Sequence, residues 1–145
     1  MGKVRIIVVV EPVKRECIML NVRDVIGMII NPKDINTVEI VNSSVDDELI
    51  ALAGRSRTVT SIFLVSDRYP DGNTPSVTAK KILKELNSAA GSSDRIHALM
   101  LHEGPSCIDC VTEWPKVTLV DITDPFPAIY EALNEILNPP TTPTA

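Results

Sequence analysis

Aromatic residues are scarce in this chain of 145 residues, which has one Trp, two Tyr and two Phe. A hydrophobic core must therefore be built from Val, Ile and Leu. Hydrophobic residues make up 44% of the chain and charged residues 23%, the composition of an ordinary globular protein. The length suits one domain with one substantial core.

Other absences exclude classes of function. No apolar stretch approaches the ~20 residues that a membrane span requires, so we expect no membrane association. The net charge is −5 and the basic residues are scattered. This distribution argues against nucleic-acid binding, because neutralising phosphates requires clustered Lys and Arg. No GxGxxG motif or P-loop is present, and we expect no cofactor.

Cysteine is also infrequent. The three cysteines are an odd number and do not form the disulfide framework of a small secreted domain. We therefore expect a reducing, cytoplasmic location.

Five apolar segments have the composition of buried β-strands, and four of them cover residues 4–10, 37–41, 60–66 and 95–101, with the fifth beginning at Val117. Helical patterns alternate with them. This alternation predicts an α/β fold of three layers, a doubly wound, five-stranded parallel sheet with helices on both faces. We expect the domain to cover residues 1–138, and the Pro/Thr-rich residues 139–145 to form a linker or disordered tail.

The spacing of apolar residues predicts which side of each helix faces the sheet. A short helix over residues 106–114 is also predicted, and the last helix is opened by Asp124, a candidate cap, and Pro125. The predicted inward residues are Cys17, Ile18, Leu20, Val25 and Ile29 in the first helix, Val77, Ala79, Ile82, Leu83 and Leu86 in the third, and Phe126, Ile129, Leu133 and Ile136 in the last.

Ligands and chemistry gather at the carboxyl ends of parallel strands. Four local phrases at these ends, IIVVVEP, FLVSDRYPDGN, ALMLHEG and VDITDPF, stand in the order and spacing of a response-regulator receiver domain. The resemblance runs from about residue 3 to residue 137. It implies the receiver arrangement, which is flavodoxin-like, and a pocket for aspartyl phosphorylation.

The phosphorylation pocket implied by this resemblance is degenerate. Val9 and Val10 stand where receivers hold Mg²⁺ with an acidic pair, and Glu11 alone is acidic. Ser66 takes the phosphoacceptor position, and Asp67 follows one residue late. In the same comparison, His102 replaces the switch Thr or Ser, and Asp124 replaces the lysine.

These replacements remove the chemistry of phosphorylation. Phosphoryl transfer to a carboxylate needs a cation to neutralise the developing charge, and two valines offer Mg²⁺ no oxygen ligand. The resemblance therefore implies a pseudo-receiver without enzymatic activity, which signals by binding protein partners or as a homodimer. The family's interaction face, formed by its fourth helix, fifth strand and fifth helix, corresponds to Cys110, Trp114, Lys116, Thr118, Tyr130 and Glu131.

A metal-dependent enzyme is the first alternative. If the alignment slips by one residue, Asp67 lies beside Glu11 at the pocket rim with Asp71 nearby, a poorer metal site. A phosphotransferase or a Toprim-like nuclease would use these carboxylates. The Toprim pattern, however, has a glycine after the strand-end glutamate, whereas Pro12 follows Glu11 here, and it has two aspartates separated by one residue, a spacing that this chain lacks.

The segment CIDC is the basis of the second alternative. Cys107 and Cys110, with His97 and His102 upstream, suggest a redox pair or a zinc site. Structural thiols on a peripheral helix are the simpler interpretation, because a free cysteine often behaves as a small hydrophobic residue.

Overall fold

The computed structural model describes residues 2–44, 47–73, 76–104 and 114–139, with the backbone alone at residue 47. The CIDC segment, nearly all of the predicted helix over residues 106–114, and residues 140–145 lie outside these ranges. Within them, no helix is both long and apolar enough to cross a bilayer.

Strands and helices alternate along the described chain as predicted, up to the last two strands, between which residues 105–113 are not described. The last helix of the described chain corresponds to the fifth helix expected from the sequence. In chain order the elements are β1 (Lys3–Val9), α1 (Pro12–Ile29), a 3₁₀ turn (Ile35–Thr37), β2 (Val38–Asn42), α2 (Asp47–Arg55), β3 (Val59–Ser66), α3 (Val77–Ser92), β4 (Ile96–His102), β5 (Val117–Asp121) and α4 (Pro125–Leu137).

The five strands form one parallel sheet in the order β2-β1-β3-β4-β5. This order is that of flavodoxin-like folds, in which the chain winds outward from β1 in both directions. The predicted fold class is therefore confirmed. Because β1, β3 and β4 are interior strands covered on both faces, each of them contains a run of four consecutive buried apolar residues.

Each face of the sheet has its own aliphatic core. Residues of α1 and α4 pack on one face, together with Ile6, Val8 and Leu64 of the strands. Residues of α2 and α3 pack on the other face against Ile7 and Phe63. The alternation of Ile6, Ile7 and Val8 between the two cores follows from the two-residue period of a strand.

The predicted inward face of α1 is partly wrong. Ile18 and Val25 are buried as expected, but Cys17 is exposed and Leu20 is half exposed. Val22 and Ile26 take their places in the core, at the i, i+4 spacing from Ile18. The sequence misleads here because α1 carries apolar residues on both of its sides.

The other predicted stripes are largely confirmed. Ile129 and Leu133 of α4 are fully buried, and Phe126 and Ile136 pack against the same core. Four residues of α3 are buried as predicted: Ala79, Ile82, Leu83 and Leu86. The prediction that Val77 faces inward is wrong, because this residue is exposed to solvent in the first turn of α3.

Candidate functional site

The carboxyl ends of β1 and β3 bring Glu11 and Ser66 together. Val9 and Val65 pair in register, so the residues that follow them leave the sheet side by side. The Ser66 hydroxyl donates a hydrogen bond of 2.8 Å to Glu11 Oε2. Glu11 is 4% exposed and Ser66 is 3% exposed, so this bond is shielded from water.

The Ser66 oxygen is also an acceptor. The backbone N–H of Arg68 donates to it at 3.2 Å, and the N–H of Tyr69 donates to the Ser66 carbonyl at 3.2 Å. Ser66 thus closes the turn that follows β3 while it satisfies a buried carboxylate. A buried polar group needs such partners, since an unpaired one costs about 1–3 kcal/mol.

The positions of the receiver acidic pair are filled by core residues. Val9 and Val10 are both buried, and each belongs to one of the two cores. No carboxylate can be supplied from either position. Glu11 is therefore the acidic group that β1 contributes, and Ser66 already binds one of its oxygens.

Asp67 lies beside this pair and is partly buried. Burial raises the pKa of its carboxyl, and the nearby Glu11 charge acts in the same direction, while Arg68 and His102 oppose the rise. Three ionisable groups therefore act on the Asp67 carboxyl at this end of the sheet. Arg68 Nε is buried and finds no hydrogen-bond partner in the described part of the chain.

His102 belongs to a separate set of contacts at the ends of β4 and β5. Its Nδ1 lies 2.8 Å from the Gly104 carbonyl oxygen. The Gly104 N–H in turn donates to Asp121 Oδ1 at 3.3 Å and to Thr123 Oγ1 at 3.2 Å. Gly104 has φ of 68°, a left-handed conformation that favours glycine. We call these four residues the β4–β5 clasp.

The clasp also stabilises the ionised form of the Asp121 carboxyl. Hydrogen bonds from the side chain and backbone of Thr123 are the main reason that its pKa is lowered, and the Gly104 N–H contributes further. On the opposite side of the same loop, Glu103 forms an ion pair with Lys14 in the first turn of α1. Sequence patterns alone carry no signal for either contact.

The remaining acidic candidates do not join the buried pair. Asp124 occupies the N-cap position of α4, but its side chain makes no capping hydrogen bond and is exposed. Asp71 is exposed in the turn after β3, in which Gly72 has φ of 84°. No group of three or more His, Cys, Asp and Glu side chains suited to a metal ion is found among the described residues.

The two histidines lie far apart on β4. His97 is near the start of the strand and His102 at its end, about 16 Å away at the rise of an extended strand. They cannot bind one metal ion together. Burial lowers the pKa of His97, with Asp94 opposing the change. Cys107 and Cys110 lie outside the described residues, so the redox and zinc hypotheses remain predictions.

The predicted interaction face becomes a groove beside the edge strand β5. Thr118 and Asp121 of β5 line it from one side, and Ala128, Glu131 and Ala132 of α4 from the other. A second hollow shares Thr118, Ala132 and Glu135 with the first and continues toward β4, where it is also lined by Lys116 and His97. We call these two hollows together the β5–α4 groove.

Not every predicted residue of this face lines the groove. Lys116, Thr118 and Glu131 are exposed there, whereas Trp114 is buried in the core under α3 and Tyr130 is partly buried against the other core. Cys110 lies outside the described residues. The two alanines were missed from the sequence, although their i, i+4 spacing beside an edge strand could have indicated a place of close approach.

Comparison with protein-family models, with curated proteins and with solved structures gives no significant match to this chain. The fold class therefore rests on the strand order and on the helices that cover both faces of the sheet.

The Glu11–Ser66 hydrogen bond generates a stability prediction. We expect Ser66→Ala to lower the free energy of unfolding by about 1–3 kcal/mol, because it leaves a buried carboxylate without its donor. In a double-mutant cycle, Glu11→Gln and Ser66→Ala should be coupled, and urea denaturation measures that coupling. Ser88→Ala, an exposed position on α3, is the control. Additive effects at Glu11 and Ser66 would show that the bond is not formed in solution.

Asp67 and Asp121 should affect stability oppositely as pH changes. The raised pKa of Asp67 means that the folded state holds its proton more tightly, so this residue lowers stability as pH rises above its ordinary value of 3.8. Asp67→Asn should therefore be stabilising at neutral pH, with a gain that disappears in acid.

The lowered pKa of Asp121 has the reverse sign. Its contribution is present above the ordinary value of 3.8 and is lost as pH falls through the lower folded value. Asp121→Asn should be destabilising at neutral pH, and the difference from wild type should shrink in acid. Unfolding free energies of the three proteins across the acid range test both signs, and parallel curves would contradict them.

Proposed function

We propose that this chain is a receiver-like signalling module that has lost aspartyl phosphorylation and acts in the cytoplasm through protein–protein contacts. The observation that supports this best is the buried Glu11–Ser66 hydrogen bond. It ties Ser66, which stands at the phosphoacceptor position of the resemblance, to Glu11, the acidic residue that follows Val9 and Val10.

A serine that donates to a carboxylate also has the geometry of an activated nucleophile. Access argues against that role here, because both residues are almost completely buried. Charge argues against it as well. An incoming phosphoryl group would meet the carboxylates of Glu11 and Asp67, whose negative charges Arg68 and His102 oppose only at Asp67 among the groups that influence it. Burial and the two carboxylates therefore both disfavour the approach of a phosphoryl group.

The β5–α4 groove supports the second half of the proposal. β5 is an edge strand, and its outer backbone groups can accept an added strand from a partner. Ala128 and Ala132 leave room for a main chain to approach, and exposed Glu131, Glu135 and Asp121 give the rim a negative charge. The partner that fits is an extended, basic protein segment.

Phosphorylation chemistry gives the first test. Incubation with Mg²⁺ and acetyl phosphate, followed by intact-mass measurement, should add no phosphoryl group to the chain. A typical receiver domain treated in parallel is the positive control, and the same sample tested for a thermal shift with Mg²⁺ should show none. Addition of one phosphoryl group that Ser66→Ala or Asp67→Asn prevents would contradict the proposal.

Site-specific crosslinking gives the second test. A photoreactive amino acid at Thr118, in the groove, should capture a protein partner in cells, and Glu131→Lys should abolish that adduct by reversing the rim charge. The same photoreactive group at Lys81, exposed on α3 across the sheet, is the matched control. Equal capture at both positions would mean that the groove has no special role.

A further inference from the structure

The helix α1 is apolar on its outer side as well as its inner side. Val13 is 83% exposed, Leu20 is 50% exposed and Met28 is 65% exposed. A helix that packs one side against a sheet needs only one apolar stripe. The large hydrophobic residues that are exposed in the described structure are Val13, Leu20, Met28, Ile35, Leu52 and Val77. Three of these six, Val13, Leu20 and Met28, lie on α1.

These outer residues follow a seven-residue repeat. Val13 and Leu20 are two helical turns apart on the same line, and Gly27 lies two turns further, next to Met28. A Cβ placed at Gly27 would meet no atom within 4 Å, so this end of the line is open to an approaching helix. We call Val13, Leu20, Gly27 and Met28 the α1 stripe.

The charged residues beside the α1 stripe are complementary to the same residues on a second copy of the chain. Glu16 lies four residues before Leu20 and Arg23 three residues after it, both exposed and on the same flank of the helix. A two-fold rotation near Leu20 places a second α1 antiparallel to the first. Glu16 of each copy then faces Arg23 of the other, which gives two equivalent ion pairs.

We propose that the α1 stripe is a homodimer interface, in which two copies of this chain pack their α1 helices antiparallel about Leu20. The self-complementary charges select a second copy over an unrelated partner, because a closed two-fold contact needs the same patch on both subunits. No residue of the β5–α4 groove belongs to the α1 stripe, so the dimer and the proposed partner site are separate.

The dimer should be reversible. Eighteen residues make a helix about 27 Å long, and one such helix pair belongs to the small interfaces that dissociate on dilution. Ion pairs at its margin contribute to partner choice more than to affinity. Sedimentation velocity over a wide range of protein concentration, with reductant present to keep Cys17 from crosslinking, measures this equilibrium.

Leu20→Glu should abolish the dimer, because it places two carboxylates against each other near the two-fold axis. Leu52→Glu is the matched control, since Leu52 is a similarly exposed leucine on α2, and it should leave the dimer intact. Thermal unfolding followed by circular dichroism shows whether both variants remain folded. Glu131→Lys in the groove should also leave the dimer unchanged.

A charge exchange separates self-association from every other explanation. Glu16→Arg and Arg23→Glu should each weaken self-association by about tenfold or more, because like charges then face each other twice. An equimolar mixture of the two variants should dimerise again, since each now supplies the charge that the other lacks. Neither variant alters a buried residue.

Three results would overturn the proposal. Wild-type protein that stays monomeric at every concentration would show that no dimer forms. A dimer that survives Leu20→Glu would place the interface elsewhere. Two charge variants that are monomeric alone and remain so when mixed would exclude the antiparallel pairing.

Discussion

Parallel strands require each connection to cross the sheet, and this requirement governs the rest of the molecule. The crossing helices cover both faces, so β1, β3 and β4 must be apolar on both sides. All polar groups that follow the strands consequently leave at one edge. Glu11 and Ser66 come together there because of this geometry, although 55 residues separate them in the chain.

At that end of the sheet, the burial of Glu11 determines the hydrogen bonding. A carboxylate removed from water needs donors, and the Ser66 hydroxyl supplies one from the neighbouring strand. The same oxygen then accepts the Arg68 N–H and shapes the turn after β3. A hydrogen bond that ties two strands and one turn together is a structural element first. The same burial keeps the hydroxyl of Ser66, at the proposed phosphoacceptor position, away from solvent.

Much of the fold could be predicted from the sequence, because runs of β-branched residues indicate buried strands and the spacing of apolar residues indicates the buried side of a helix. The α4 stripe of Phe126, Ile129, Leu133 and Ile136 was confirmed in full. The inner side of α1 was not, since apolar residues such as Leu20 occupy its outer side too and spacing alone cannot distinguish the two. The strand order followed only from resemblance to a known family.

The candidate site was predictable to a lesser degree. Placing Glu11, Ser66 and Asp67 at one edge follows from parallel topology, and the structure brings them together. The direction of the Ser66 hydrogen bond depends on side-chain geometry that no pattern encodes. Contacts such as Lys14 with Glu103, or Gly104 with Thr123, join residues from separate loops, and a single sequence contains no trace of them.

The β4–β5 clasp connects the main chain after β4 to one end of the β5–α4 groove. Through Gly104, the main chain after β4 is bonded to the turn that ends β5, which is also one end of the groove. Because Asp121 takes part in both, a segment that docks along β5 and draws this carboxylate toward itself would loosen the hold on Gly104. His102 would then be released from its carbonyl partner. Occupancy of the groove by a partner would thereby reach His102 through hydrogen bonds, without any phosphate.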